Sequence, residues 1–290
     1  MKRLLITGAT GNVGMEVLRS LAVTPTDDVT VLAGVRDVAR VQPQLRELPT
    51  VTPVRFDFAD ASTYEPALRG VTGVFLLLPA GLPDAPRRFG ELVAAAQAAG
   101  VQHVVYMSVQ GAEDMRLIPH HRIEKAVMQG GVPYTLLRPA YFMQNFNSTL
   151  RDDLVRRNLI YLPAGQARFT LIDVRDIGRV AAEVLRQPTA HAGQAYTLTG
   201  TESLTFGEMA VTLTQGLGRP IRYLSPNPLR FFLTKKRQGT ATGFILIMIL
   251  LHYLARFQRT APTTDWVQRV TGQAPLTFAE YVRDYRAELS

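Results

Sequence analysis

Short apolar runs rich in Val, Leu and Ile recur through the first half of the chain, each followed by residues spaced as on a helix face. The runs predict strands over 3–7, 29–34, 51–56, 72–78, 102–108 and 133–137. The helical spacing is clearest over 86–99 and 120–129, and Gly100 and Gly130-Gly131 stand where those two helices should stop. Continuously apolar strands separated by helices argue for a parallel sheet covered on both faces. With right-handed crossovers that is a doubly wound α/β fold. Ligands of such folds lie beyond the carboxyl ends of the strands, so the residues just after each strand are where chemistry is sought.

Past residue 145 the rhythm changes. The pattern predicts a helix at 146–157, strands at 168–172 and 194–199, and between them a helix at 174–186. Further helices are expected near 205–217, 228–257, 263–271 and 277–288. A sheet domain over 1–145, with 166–199 returning to it, and a smaller, mostly helical C-terminal lobe from 146–165 and 200–290 follow from this division. Residues 244–251, FILIMILL, are apolar all round. Extended to 255 the run is about 12 residues, short of the roughly 18–20 that cross a bilayer. A buried helix, a pocket wall or the face of a homodimer are the readings it leaves, and no membrane span is expected.

Composition narrows the function classes. The chain has 290 residues, 47% of them hydrophobic and 19% charged, which is the make-up of a globular protein with a real core. It has no cysteine, which excludes disulfides, thiolate catalysis and zinc-cysteine sites. The start MKRLLITGATG is basic, but its apolar stretch is too short for a secretory signal, and a cytoplasmic protein is the expectation. The formal charge is +8, carried mostly by scattered arginines, with one tight basic cluster at 235–237. Without a basic stripe and interleaved aromatics, direct nucleic-acid binding is not expected; a basic surface that attracts anionic small molecules is. No metal site is expected either. His120 and His121 are adjacent, diverge on a helix, and lack an accompanying carboxylate pattern.

The most specific motif is TGATGNVG, from Thr7 to Gly14, lying between the first apolar run and a helical pattern. A strand, a glycine turn and a helix N-terminus together hold a pyrophosphate, because free backbone N–H groups and the helix dipole face the anion. Gly8 suits the tight turn, Gly11 the close approach of phosphate, and Gly14 the packing of helix on strand. The spacing G-x-x-G-x-x-G is one residue longer than the usual dinucleotide fingerprint.

Arg36 ends the second strand region, 22 residues beyond Gly14. An acidic residue there would take the ribose 2′-OH of NAD, whereas an arginine accommodates a 2′-phosphate. NADP(H) is therefore expected over NAD(H), the alternative being an ion pair of Arg36 with Asp37. After the third strand, Asp57 could accept from an adenine amino group and Phe58 pack beside it. A turn aspartate and a core aromatic are the alternatives. Leu78 and Pro79 after the fourth strand suit the nicotinamide ribose. Ser108 after the fifth, and Arg138-Pro139-Ala140-Tyr141 after the sixth, complete the ring of loops.

TGATGNVG, PYTLLRPAYFMQNF (133–146), FTLIDVRDIGRVAAEVL (169–185) and TDWVQRVTGQAPLTFAEYVRDY (264–285) together resemble the NmrA-like family of atypical short-chain dehydrogenase/reductases. The resemblance covers nearly the whole chain, with little contributed by 225–262. It implies a Rossmann core with NADP(H) preference, in a family that includes quinone reductases, aromatic-compound reductases and cofactor-sensing regulators. It carries phosphate binding onto Gly8, Thr10, Gly11, Asn12, Val13 and Gly14, and 2′-phosphate recognition onto Arg36. It also points to Tyr141, Phe142 and Asn145 as substrate-pocket residues.

The departures bear on chemistry. Short-chain dehydrogenases use Tyr-x-x-x-Lys, in which lysine lowers the tyrosine pKa, and this chain has no such sequence. Many NmrA-like reductases keep a lysine four residues before a glutamate. Aligned on Glu124, that position is His120, which could hold the ribose or donate a proton at neutral pH. His121 and Lys125 imitate the Tyr/Lys spacing and are the alternative pair. Asp173 and Asp176 read as helix-starting carboxylates. The expectation is an oxidoreductase passing hydride from NADPH to a small planar electron-poor acceptor such as a quinone, with His120 and Tyr141 as candidate catalytic groups. The alternative is an NADP(H)-binding redox sensor or regulator with little turnover, working through a protein partner.

Overall fold

The computed structural model describes residues 2–23, 28–41 and 43–290. Its strands, in chain order, are β1 (Lys2–Ile6), β2 (Val29–Val35), β3 (Val51–Arg55), β4 (Gly73–Leu77), β5 (His103–Met107) and β6 (Tyr134–Pro139). After them come β7 (Tyr141–Phe142), β8 (Leu159–Tyr161), β9 (Arg168–Ile172), β10 (Gln194–Leu198), β11 (Ser203–Thr205) and β12 (Arg222–Leu224). Seven of these form one parallel sheet in the order β10-β6-β5-β4-β1-β2-β3. This is the doubly wound Rossmann arrangement, with the strand order reversing between β1 and β4. The central strands β1, β4 and β5 are largely apolar because both faces are covered there: Leu4, Leu5, Ile6, Val74, Phe75, Leu76, Val104 and Val105 are all buried.

The chain divides into two compact units. One comprises Met1–Pro139, Val174–Leu198 and Trp266–Ala274, and contains the seven-stranded sheet. On one side of that sheet an aromatic cluster fills the core, with Phe89 stacked on Phe58 at 5.1 Å and edge-on to Tyr106 at 5.5 Å. Elsewhere in this unit the helices Asn12–Val23 and Val174–Arg186 meet backbone to backbone. A Cβ on Gly178 would stand 2.7 Å from the Glu16 carbonyl oxygen, so only glycine permits that approach.

The other unit comprises Ala140–Asp173, Thr199–Asp265 and Pro275–Ser290. Its small sheets are β11-β9-β7 and β12-β8, and its core gathers Phe146, Phe206, Phe231, Phe278 and Tyr281. Two helices start on complete capping boxes, Thr205 with Glu208 and Thr277 with Glu280, which satisfy two N-terminal donors each. Asp153, buried in this core, accepts from Lys235 at 2.6 Å and Arg157 at 2.8 Å.

Several expected helices are shorter than their periodicity suggested. The single helix expected over 228–257 is two, Pro228–Arg237 and Thr242–Leu254, followed by a short turn Ala255–Phe257. Gly239 breaks it, with a φ of +83° in the left-handed region. The helix expected from 146 begins at Arg151 and ends on Asn158, also left-handed at φ 53°. The one expected over 263–271 is Trp266–Thr271, and that over 277–288 is Phe278–Asp284 followed by Arg286–Leu289. Strands β7, β8, β11 and β12 were missed, since two or three residues cannot show an alternating pattern. The apolar run at 244–255 is not enclosed as a buried helix: only Ile245, Met248 and His252 of its helix are buried. No helix among the described residues is long and apolar enough to cross a membrane.

Candidate functional site

The loops that follow β1, β2, β4 and β5 leave the sheet on one edge, around the point where the strand order reverses. Ile6 is level with Ala33 on one side and with Phe75 on the other. The glycine turn is therefore flanked by the loop carrying Arg36 and the loop beginning at Leu78. Gly8 has φ +62°, and a Cβ there would meet Leu77 at 2.6 Å. The Gly11 N–H closes the turn on the Gly8 carbonyl at 2.9 Å, and Met15 N–H to Gly11 O at 3.0 Å opens the helix. The N–H groups of Asn12, Val13 and Gly14 consequently precede the helical ladder. A Cβ on Gly14 would stand 2.2 Å from the Gly8 carbonyl oxygen. That glycine keeps turn and helix in contact; the helix-on-strand packing expected of it is not the constraint. Thr10, Gly11 and Asn12 are exposed, so the cradle is open to a phosphate.

Arg36 is exposed at the end of β2, and no carboxylate lies within ion-pair distance among the described residues. Asp37 turns its carboxylate to the Arg40 N–H at 3.1 Å, leaving the expected alternative unformed. Asp57 accepts from the Ala59 N–H at 2.9 Å, a local turn that occupies one carboxylate oxygen. Phe58, expected beside an adenine, is instead a core ring, 6% exposed and packed on Phe89 and edge-on to Phe56. Leu78 and Pro79 are half-buried on the loop after β4. Ser108 is fully buried, and its hydroxyl has no hydrogen-bond partner. The open glycine cradle after β1 and, on the adjacent strand end, an arginine with no ion pair among the described residues fit a dinucleotide phosphate, while the orphaned Ser108 hydroxyl lies two strands from β1, after β5.

His120 stands at the start of the helix Pro119–Gln129, 2.8 Å from the hydroxyl of Tyr106 on β5. Burial raises the Tyr106 pKa far above its usual value, so the phenol keeps its proton. Burial also lowers His120 to about 4, against a smaller opposing pull from Glu124. The Tyr106 O–H therefore donates to Nδ1, and the proton of the neutral imidazole sits on Nε2. The imidazolium donor expected at neutral pH is not the form present, because a charged ring in this half-buried place loses too much of its solvation. Glu124 is engaged by Arg138 through two bonds of 2.9 and 2.7 Å. The alternative pair does not form: His121 hydrogen-bonds the Ala112 carbonyl at 2.8 Å, and Lys125 is exposed.

The buried His103 and His252 and the half-buried His120 all have pKa values lowered to about 4, chiefly by loss of solvent. Folded values below the unfolded value near 6.5 mean that the unfolded chain binds more protons between those limits. Stability is thus full above about pH 6.5 and falls as the pH drops toward 4, by up to about 1.4 kcal/mol per pH unit per histidine. Urea midpoints should drop steeply between about pH 6.5 and about pH 5. A flat profile over that window would contradict these assignments.

In the second unit, the Tyr141 ring packs in an aromatic group with Phe169, Phe206 and His252. His252 Nδ1–H donates to the Met248 carbonyl at 2.7 Å, so Nε2 is an acceptor, 3.3 Å from the Tyr141 hydroxyl. Burial raises the Tyr141 pKa, and a hydrogen bond from Asn145 opposes the rise. Phe142 and Asn145 are half-buried beside it. His252 escaped the sequence reading; its signal was the first polar residue in the run FILIMILLH. Asp173 accepts from Gln144 at 2.9 Å, and Asp176 pairs with Arg179, which makes both structural carboxylates.

The chain matches the NmrA-like family model over residues 1–233. The chain belongs to the NmrA-like family. It is 31% identical to an NAD(P)H azoreductase of Xenophilus azovorans, covering 98% of both chains. It is 35% identical to the (4-alkanoyl-5-oxo-2,5-dihydrofuran-3-yl)methyl phosphate reductase of Streptomyces griseus, over 98% of this chain and 97% of the relative. Among solved structures it resembles the NADPH-dependent quinone oxidoreductase of Escherichia coli in complex with NADPH. That match has a TM-score of 0.85 and 25% identity, and covers 97% of this chain and 99% of the other.

Proposed function

We propose that this NmrA-like protein is an NADPH-dependent reductase that passes hydride to a small, planar, electron-poor acceptor such as a quinone. The observation that carries the cofactor half is Arg36, exposed and without a carboxylate partner among the described residues, on the strand end beside the glycine turn. The backbone of Gly11 to Gly14 holds the pyrophosphate, Arg36 the 2′-phosphate, and Ser108, Leu78 and Pro79 the nicotinamide ribose. Asp57 accepts from the adenine with its remaining oxygen. NADPH supplies the hydride when bound. The names of the relatives, an azoreductase and a quinone oxidoreductase, support acceptors that delocalise incoming charge.

Such acceptors need little acid catalysis, which suits the groups present. His120 is neutral and offers Nε2–H as a hydrogen-bond donor, with Tyr106 fixing the ring. The Tyr141 proton is committed to His252, so Tyr141 positions the acceptor together with Phe142 and Asn145. The test follows NADPH oxidation across quinones and azo dyes. His120→Ala is expected to lower kcat/KM about tenfold, the worth of one hydrogen bond, and Tyr141→Phe to raise KM more than it lowers kcat. Tight NADPH binding with no turnover on any acceptor would replace this reading with that of a cofactor sensor.

A further inference from the structure

The helix Thr242–Leu254 exposes a face that has no polar residue. Phe244, Leu246, Ile247, Leu250, Leu251 and Leu254 are between 43% and 59% exposed. At 100° per residue they occupy one continuous arc of roughly half the circumference, opposite the buried Ile245, Met248 and His252. A surface helix ordinarily carries its charged residues there. The preceding helix, Pro228–Arg237, adds Leu229 and Leu233, one turn apart and also exposed. Contiguous exposed apolar area of this kind marks a contact surface.

The charge distribution says what covers it. Residues 209–264 hold eight arginines and lysines and not one aspartate or glutamate, while the rest of the chain holds twenty-four of each sign. The entire formal charge of +8 therefore lies in the stretch that carries the apolar face. Lys235 is buried against Asp153, and Arg219 is held by two backbone carbonyls. The other six, Arg222, Arg230, Lys236, Arg237, Arg256 and Arg259, are exposed and have no carboxylate partner among the described residues. Arg230, Lys236 and Arg237 flank Leu229 and Leu233 on the same helix.

We propose that the segment Pro228–Phe257 docks the protein on an anionic phospholipid surface, its apolar face in the acyl boundary and its cations among the headgroups. A helix of 13 residues is about 20 Å long, too short for the roughly 30 Å hydrocarbon core, so it lies in the interface and does not span it. A second copy of this chain is a poorer occupant. A two-fold contact would set this all-cationic stretch against itself, with no acidic residue in it to pair. An anionic bilayer meets both the apolar arc and the charge around it.

The test is co-sedimentation of the full-length protein with vesicles of phosphatidylcholine alone or mixed with phosphatidylglycerol. Wild type should pellet with the mixed vesicles, weakly with the neutral ones, and less at high salt. Lys236→Glu with Arg237→Glu, and separately Ile247→Gln with Leu250→Gln and Leu251→Gln, should each weaken binding at least about tenfold. These side chains are on the surface, so the circular dichroism spectrum should be unchanged. Failure to pellet with either vesicle, or binding that neither variant weakens, would overturn the proposal. So would a concentration-dependent dimer, seen by light scattering, that the glutamine variant dissolves, because the face would then belong to a second copy.

Discussion

Arg36→Asp is expected to raise the dissociation constant for NADPH by a hundredfold or more while changing that for NADH far less. A bidentate guanidinium–phosphate contact consists of two charge-assisted hydrogen bonds, each about 1.5–3 kcal/mol, and every 1.4 kcal/mol is a factor of ten. The aspartate also sets a negative charge against the 2′-phosphate, whereas with NADH it can accept from the ribose hydroxyl. Among the described residues the wild-type arginine has no competing ion pair to give up, since Asp37 is turned to the Arg40 N–H. The check is a fluorescence titration of both cofactors against wild type and variant. A wild type that binds NADPH and NADH equally would contradict the assignment of Arg36.

Gly14→Ala is expected to remove binding of both cofactors together, by at least about a hundredfold, which separates it from the Arg36 change. The new Cβ would stand 2.2 Å from the Gly8 carbonyl oxygen and 3.0 Å from the Ala9 Cα. Both are backbone atoms, so no side chain can rotate aside and the turn must open. Opening it displaces the N–H groups proposed to receive the phosphate, and the preorganisation of the cradle is lost. Gly11→Ala is the graded control, because its Cβ would lie 3.3 Å from the same oxygen. It should bind severalfold more weakly and no worse. A Gly14→Ala protein that titrates with NADPH like wild type would show that the turn does not hold the pyrophosphate.

The sheet was legible because its central strands are buried on both faces and therefore read as apolar runs, as in FLLL before Pro79. The glycine turn was legible because Gly8 and Gly14 answer steric demands only glycine meets. Other features depend on what tertiary structure brings close. The Tyr106–His120 bond joins residues 14 apart on a strand and a helix, and the partial burial that keeps His120 neutral arises only from tertiary packing. His252 reaches Tyr141 across 111 residues. The break at Gly239 was hidden because the flanking residues keep helical spacing, and one left-handed glycine overrides it. Phe58 follows a strand end, as an adenine-contacting residue would, yet the aromatic core claims it. An apolar run does not say whether it faces the interior, and only the fold shows half of 244–254 turned outward.

The most direct test of the account is a single-turnover experiment in which the preformed complex with NADPH is mixed with a benzoquinone. Loss of the reduced-nicotinamide fluorescence is expected, dependent on the quinone, far faster than for free NADPH and slowed in the His120→Ala variant. NADPH that stays bound and unconsumed on mixing with every quinone and azo acceptor would contradict it.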